Sequence, residues 1–120
     1  MLSDKDILAN LAGAEPLTTD IDTRDCSKTA SVQAASLDLK AGKIFRPHAN
    51  SRIDMFTTEV GQAHQEYILS PGETVIVQTL EYVKMPIDMG GIVFAPSGKS
   101  SGGLLMVNTG HIDPGYHGYL

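Results

Sequence analysis

The sequence has 120 residues, of which 42% are hydrophobic and 19% charged, a balance typical of a folded domain with a packed core. The length fits a single small domain over residues 1–120. The formal net charge of -5 argues against a nucleic-acid polymer as partner, because backbone phosphates are bound by clustered Lys and Arg.

Two further observations exclude other classes of protein. Cys26 is the single cysteine, so neither an intrachain disulfide nor a cysteine-based zinc site is expected. The first 15 residues carry charges that the apolar stretch of a secretory signal would not contain. The longest apolar runs, 74–77 and 104–107, are only strand-sized, so we expect no membrane span and a cytoplasmic location.

The chain begins with a predicted short helix. Ser3 can cap the helix N-terminus, and Asp6 stands three residues later, as in a capping box. An apolar stripe follows at helical spacing, and Gly13 marks the end of the helix. The stripe consists of Ile7, Leu8 and Leu11.

Many short strands are predicted after an irregular connection over 14–31. Alternating or β-branched segments lie at 36–40, 66–69, 73–85, 91–94 and 104–107. Ala41-Gly42-Lys43 is predicted to be a tight turn, as is Ser70-Pro71-Gly72, and Pro86 ends the longest segment. This spacing indicates an all-β fold: a β-sandwich, a jelly roll or a distorted barrel.

The C-terminal segment from Gly110 to Leu120 is the first candidate site. Asp113 stands in a Pro/Gly turn and is followed closely by Tyr116, so a carboxylate and a ring can hold a small ligand from two sides. The alternative is structural, because an aspartate in such a turn most often accepts hydrogen bonds from nearby backbone amides. His111, Asp113 and His117 could also bind a metal, but their spacing is not a familiar ligand pattern, and we expect no metal site.

The second candidate site is the segment 95–103. Small residues let backbone amides approach an anion, while Lys99, Ser100 and Ser101 supply charge and hydroxyl groups. A flexible surface loop is the alternative, since Gly and Ser are common in loops. A Walker A phosphate loop is rejected, because Val93 stands where that motif needs its first Gly and the following segment is predicted to be a strand.

The turn motif resembles that of the dCTP deaminase and dUTPase superfamily, which has Ile-Asp-x-x-aromatic-x-Gly. This sequence matches it at Ile112, Asp113, Tyr116 and Gly118. Four more segments are similar to those of the deaminase branch in order and spacing, so the resemblance covers nearly the whole chain. They lie at 2–7, 34–40, 69–73 and 79–86.

The resemblance implies a dUTPase-like β-clip, that is, a distorted β-barrel or jelly roll, with a short N-terminal helix and a homotrimer with sites at subunit boundaries. It implies that Asp113 binds the deoxyribose hydroxyl and that Tyr116 stacks on the sugar. Lys99, Ser100 and Ser101 are the nearest match to the Arg-Ser-Ser that binds the triphosphate, with Lys99 in place of Arg. For Asp38 we favour a structural role as a buried acceptor on the first strand.

The activity implied is hydrolysis: deamination of dCTP to dUTP without a protein-bound cofactor. The family's water-activating Glu would fall three positions beyond Leu120, and a later segment covers the triphosphate. We therefore expect little or no dUTP formation by these 120 residues, which are either part of a longer deaminase or a non-catalytic nucleotide-binding or assembly module. A dUTPase-like pyrophosphatase is the third possibility, with Asp113 activating water and Mg²⁺ accompanying the triphosphate of deoxycytidine or deoxyuridine.

Overall fold

The computed structural model describes residues 1–18, 31–47, 58–63, 65–107 and 110–120. Within these ranges the chain forms mostly short strands, as the sequence predicts. In chain order, the elements are α1 (Asp4–Leu11), β1 (Ala41–Arg46), β2 (Thr58–Gln62), β3 (Ile76–Thr79), β4 (Val83–Lys84), β5 (Gly91–Ile92), α2 (Ser97–Ser101), β6 (His111–Ile112) and β7 (His117–Gly118). The strands form small sheets, and the described residues do not form a closed barrel.

Three antiparallel sheets organise the described strands. The largest has the order β2-β1-β3, and the others pair β4 with β7 and β5 with β6. The last ten residues therefore contact three regions in turn: β6 pairs with β5, β7 pairs with β4, and the Thr79 N–H donates to the Leu120 carbonyl across 2.8 Å. This path places the C-terminal turn between the two small sheets.

The N-terminal helix α1 forms as the sequence predicts. The Ser3 hydroxyl accepts a hydrogen bond from the Asp6 N–H at 3.3 Å, and the Asp6 carboxylate accepts from the Ser3 N–H at 2.9 Å, completing the capping box. The hydrogen bond from the Ser3 backbone is the main cause that lowers the pKa of Asp6. Gly13 follows the last helical residue, Leu11, by two positions.

The predicted turn at Ala41-Gly42-Lys43 is wrong, because these residues open strand β1. A Cβ at Gly42 would lie 2.7 Å from the Thr79 carbonyl oxygen and 2.8 Å from the Leu80 Cα. The glycine is therefore needed for close approach between β1 and the end of β3, and the ladder shifts register beside it.

Other predicted strands are shorter than expected. The segment 73–85 divides into β3 and β4, and 91–94 contributes only β5. The segments 66–69 and 104–107 lie outside the described strands, and 36–40 contributes only the bridge between Val32 and Leu37. Apolar alternation favours a strand, but a strand also needs a partner edge, which these segments do not find among the described residues.

The turn at Ser70-Pro71-Gly72 is confirmed. Gly72 has a positive φ of 79°, and the Glu73 N–H donates to the Ser70 carbonyl at 2.9 Å. The Tyr67 hydroxyl donates to the Glu73 carboxylate at 2.6 Å, and the Ser70 N–H donates to it at 3.0 Å. These two hydrogen bonds, the first being the stronger cause, lower the pKa of Glu73.

The core that supports the C-terminal turn joins β4 to β6. Val83, Met85 and Ile112 are buried together, with partly buried apolar side chains packed around them. Those side chains belong to Leu17, Leu39, Met89, Val93, Tyr116 and Leu120. Neither described helix has the length and apolar character required to cross a bilayer.

Candidate functional site

A tight turn links β6 to β7 and carries Asp113. The Tyr116 N–H donates to the Asp113 carbonyl at 3.1 Å, and Gly115 has a positive φ of 77°, which with Pro114 before it fits a type II turn. The Gly115 N–H also donates to the Pro86 carbonyl at 3.2 Å, so the turn is attached to the segment that follows β4.

The Asp113 side chain extends from this turn into solvent. It is 82% exposed, and its Oδ1 lies 3.3 Å from the Nδ1 of His111. Among the described residues, no backbone amide donates to its carboxylate. The turn is held by backbone hydrogen bonds alone, which leaves the carboxylate open to a ligand.

Tyr116, at the other end of the turn, packs back onto its own strand. A Cβ at Gly118 would lie 2.5 Å from the Tyr116 hydroxyl oxygen and 2.8 Å from the ring carbon that bears it. The hydroxyl donates to the Tyr119 carbonyl, and the half-buried ring contacts the core of Val83, Met85 and Ile112. The spacing of aromatic and glycine in the motif thus has a packing reason, because the ring needs the space that Gly118 leaves.

Lys99, Ser100 and Ser101 lie on α2, the exposed five-residue helix between β5 and β6. The sequence favoured a turn or a surface loop here, whereas residues 97–101 form a short helix, and the strand predicted beyond it is not among the described strands. The antiparallel register pairs Gly91 with Ile112 and Ile92 with His111. Consequently α2 follows one end of this ladder, whereas Asp113 follows the opposite end, and within the described part of the chain no hydrogen bond or ion pair joins them.

Asp38 is not the buried acceptor that the sequence predicts. Its side chain is exposed, its backbone lies outside the described strands, and its N–H donates to the Ser31 carbonyl at 2.7 Å. Among the described residues, the buried carboxylate is instead that of Glu81, which is 1% exposed and accepts from the Lys40 N–H at 2.9 Å. The sequence signal for a buried carboxylate at Glu81 was its position as a charged residue within an apolar segment.

The histidines form no metal cluster within the described part of the chain. His111 approaches Asp113, while His117 is exposed on β7. His48, His64 and Cys26 lie outside the described residues. A separate concavity of about 310 Å³ beside β1 is lined partly by Lys43, Gln78 and Tyr119, and it includes neither Asp113 nor α2.

Comparison with known proteins identifies the family. A family model described as dCTP deaminase-like matches residues 1–120. The chain is 34% identical to the "dCTP deaminase, dUMP-forming" of Mycolicibacterium smegmatis and 36% identical to that of Rhodococcus opacus, and both alignments cover all of this chain and 66% of the relative. The protein of the same name from Halobacterium salinarum is 34% identical, over 98% of this chain and 65% of the relative.

The chain belongs to the dCTP deaminase-like family, as the resemblance of its motifs predicts. It spans about 65% of the length of the curated relatives it matches.

Proposed function

We propose that this chain provides the nucleotide-binding part of a hydrolase that acts on dCTP. The observation that carries the proposal is the exposed Asp113 carboxylate on the turn that matches the family motif. The relatives are named for acting on dCTP and forming dUMP. Conversion of dCTP to dUMP consumes two waters: one replaces the amino group at C4 and releases ammonia, and one cleaves the bond between the α- and β-phosphates and releases diphosphate. Deamination of the base and cleavage of the triphosphate, the two reactions that the sequence left open, are therefore compatible with one site.

In this proposal Asp113 accepts a hydrogen bond from a deoxyribose hydroxyl. Its carboxylate has acceptor sites that the described residues do not occupy, and its backbone is fixed by the turn. Tyr116 borders the sugar with the exposed part of its ring. Activation of the water that attacks the α-phosphate remains the alternative role for Asp113, with Mg²⁺ entering bound to the triphosphate and no metal held by the protein alone.

We further propose that Lys99, Ser100 and Ser101 contact the phosphates across a subunit boundary. Support comes from the β5–β6 ladder, because α2 follows one end of this pair of strands and Asp113 follows the opposite end. A site that uses both groups is more readily completed by α2 of another copy of the chain. Lys99 contributes a point charge there instead of a bidentate fork.

A homotrimer of distorted β-barrel or jelly-roll subunits is the assembly that we propose. Large apolar side chains close to α2 in the sequence are exposed to solvent. Leu105 is 85% exposed and Val107 is 89% exposed, and Phe94 and Ile92 are exposed as well. Burial of such a patch stabilises an assembly. Light scattering at micromolar concentration should give three times the chain mass of 12.8 kDa. Leu105→Glu should lower the mass, and a monomeric unsubstituted chain would contradict the proposal.

Calorimetric titration with dCTP and dUTP tests the proposed role of Asp113. Asp113→Asn keeps the shape but removes the charge, so affinity should fall about 10- to 100-fold, the range for a hydrogen bond to a charged group. Asp38→Asn is the matched control, because it removes the same charge from another exposed aspartate. Melting curves establish that the variants are folded. Equal affinity in folded Asp113→Asn and in the unsubstituted chain would refute the assignment.

A further inference from the structure

We propose that His111 is a positioning residue that holds the Asp113 carboxylate in the orientation that accepts a ligand hydroxyl. The inference rests on the proposed function, since it assigns a role to His111 only through Asp113. Neither the sequence motif nor the names of the relatives concern this histidine.

His111 lies on β6, and Asp113 is the residue that directly follows this strand. Residues two apart in a strand point in the same direction, and His111 and Asp113 are separated by Ile112 alone. Ile112 is buried in the core with Val83 and Met85, so its side chain anchors the strand from the opposite face. The Ile112 backbone is also paired with Gly91. The backbone between His111 and Asp113 is therefore fixed.

The imidazole packs beside Gly90. A Cβ at Gly90 would lie 3.8 Å from the His111 Nε2 and 3.3 Å from the Ile112 carbonyl oxygen. On the Nδ1 side, the ring approaches the Asp113 Oδ1 to 3.3 Å. His111 thus lies between Gly90 and the carboxylate, with the Nδ1 edge towards the group that we assign to the ligand.

The chemical consequence concerns the freedom of an exposed carboxylate. An 82% exposed aspartate without a neighbour can rotate among its rotamers, and a ligand would have to fix it at an entropic cost. The Nδ1–H can donate to Oδ1 once the distance shortens slightly on binding, as separations in ligand-free sites often do. Oδ2 then faces the ligand hydroxyl with its acceptor sites free.

Two conservative substitutions separate this role from a general need for a polar residue. The amide nitrogen of Asn occupies the position of Nδ1, whereas the amide nitrogen of Gln occupies that of Nε2. His111→Gln should weaken binding of dCTP about 3- to 10-fold, the contribution of one modest hydrogen bond, and His111→Asn should recover most of that loss. His117→Gln, on exposed β7, is the control for removal of a histidine.

A double-mutant cycle shows whether His111 acts through Asp113. In the Asp113→Asn background, His111→Gln should have no further effect, because the carboxylate that it orients is gone. Equal affinities for His111→Asn and His111→Gln, or additive losses in the double variant, would overturn the inference. If Asp113→Asn alone leaves affinity unchanged, the proposed function fails and the inference fails with it. If Asp113→Asn weakens binding but His111→Gln does not, only the inference fails.

Discussion

Gly42→Ala is expected to destabilise the fold strongly, although alanine is ordinarily the better residue in a regular element. The added Cβ would lie 2.7 Å from the Thr79 carbonyl oxygen, and ordinary contact begins at 3.4 Å, so β1 and β3 must separate by about 0.7 Å. The neighbouring atoms belong to the backbone, and no side chain can rotate away. The hydrogen bond from the Leu80 N–H to the Lys40 carbonyl, 2.8 Å long, lies at the same point and would lengthen.

The expected cost combines two effects. Overpacking costs about 1–3 kcal/mol, and a weakened hydrogen bond costs about 0.5–1.5 kcal/mol. We therefore expect the free energy of unfolding to fall by about 2–4 kcal/mol. In urea denaturation the midpoint should move down by about 1–2 M, since m-values of small proteins are about 1–3 kcal/mol per M.

Gly98→Ala provides the matched control, because a Cβ there meets no atom within 4 Å and the residue lies on exposed α2. This variant should be unchanged or more stable, by up to about 1 kcal/mol. A Gly42→Ala protein with a midpoint equal to that of the unsubstituted chain would refute the close-approach argument. Equal destabilisation by both alanines would also refute it.

Two other perturbations test local packing and charge. Gly118→Ala should lower the free energy of unfolding by about 1–3 kcal/mol, because the added methyl group displaces the ring of Tyr116. Tyr116→Leu in the same chain should relieve part of that loss, which thermal unfolding can measure. Fully additive losses would contradict the contact between the ring and Gly118. Tyr67→Phe removes the hydrogen bond that most lowers the pKa of Glu73. A carboxyl whose pKa is depressed on folding stabilises the protein above its usual value of 4.5, and this contribution is lost as the pH falls through the depressed pKa. The stability difference between the two proteins should therefore be largest near neutral pH and narrow on acidification, and a pH-independent difference would contradict this assignment.

The features that sequence analysis predicts well are those decided by local chemistry. Ser3 and Asp6 cap their helix through atoms three residues apart, and Gly72 supplies a positive φ within its own turn. Gly42 shows the limit. A glycine between Ala41 and Lys43 favours a turn, but the actual role of Gly42 depends on Thr79, which only the folded sheet brings near.

In the candidate site, too, some features could be predicted from the sequence and others could not. The turn around Asp113 follows from Pro114 and Gly115 beside it, so its existence could be predicted. The approach of His111 to Asp113 was also accessible in principle, because extended residues two apart point in the same direction and Asp113 directly follows β6. The position of α2 at the far end of the β5–β6 ladder could not be predicted, since it depends on strand register.

The path of the last ten residues has a consequence for the order in which the molecule folds. β6 and β7 complete two sheets, and Leu120 binds Thr79 through both its carbonyl and its N–H, across a separation of 41 residues. Contacts between distant residues form slowly, because loop closure costs entropy before any pairing compensates it. Until this segment arrives, β4, β5 and the outer edge of β3 have open hydrogen-bonding groups, and open edges favour aggregation. The chain is therefore most vulnerable before residues 111–120 dock, so the segment that carries Asp113 also protects β3, β4 and β5 during folding.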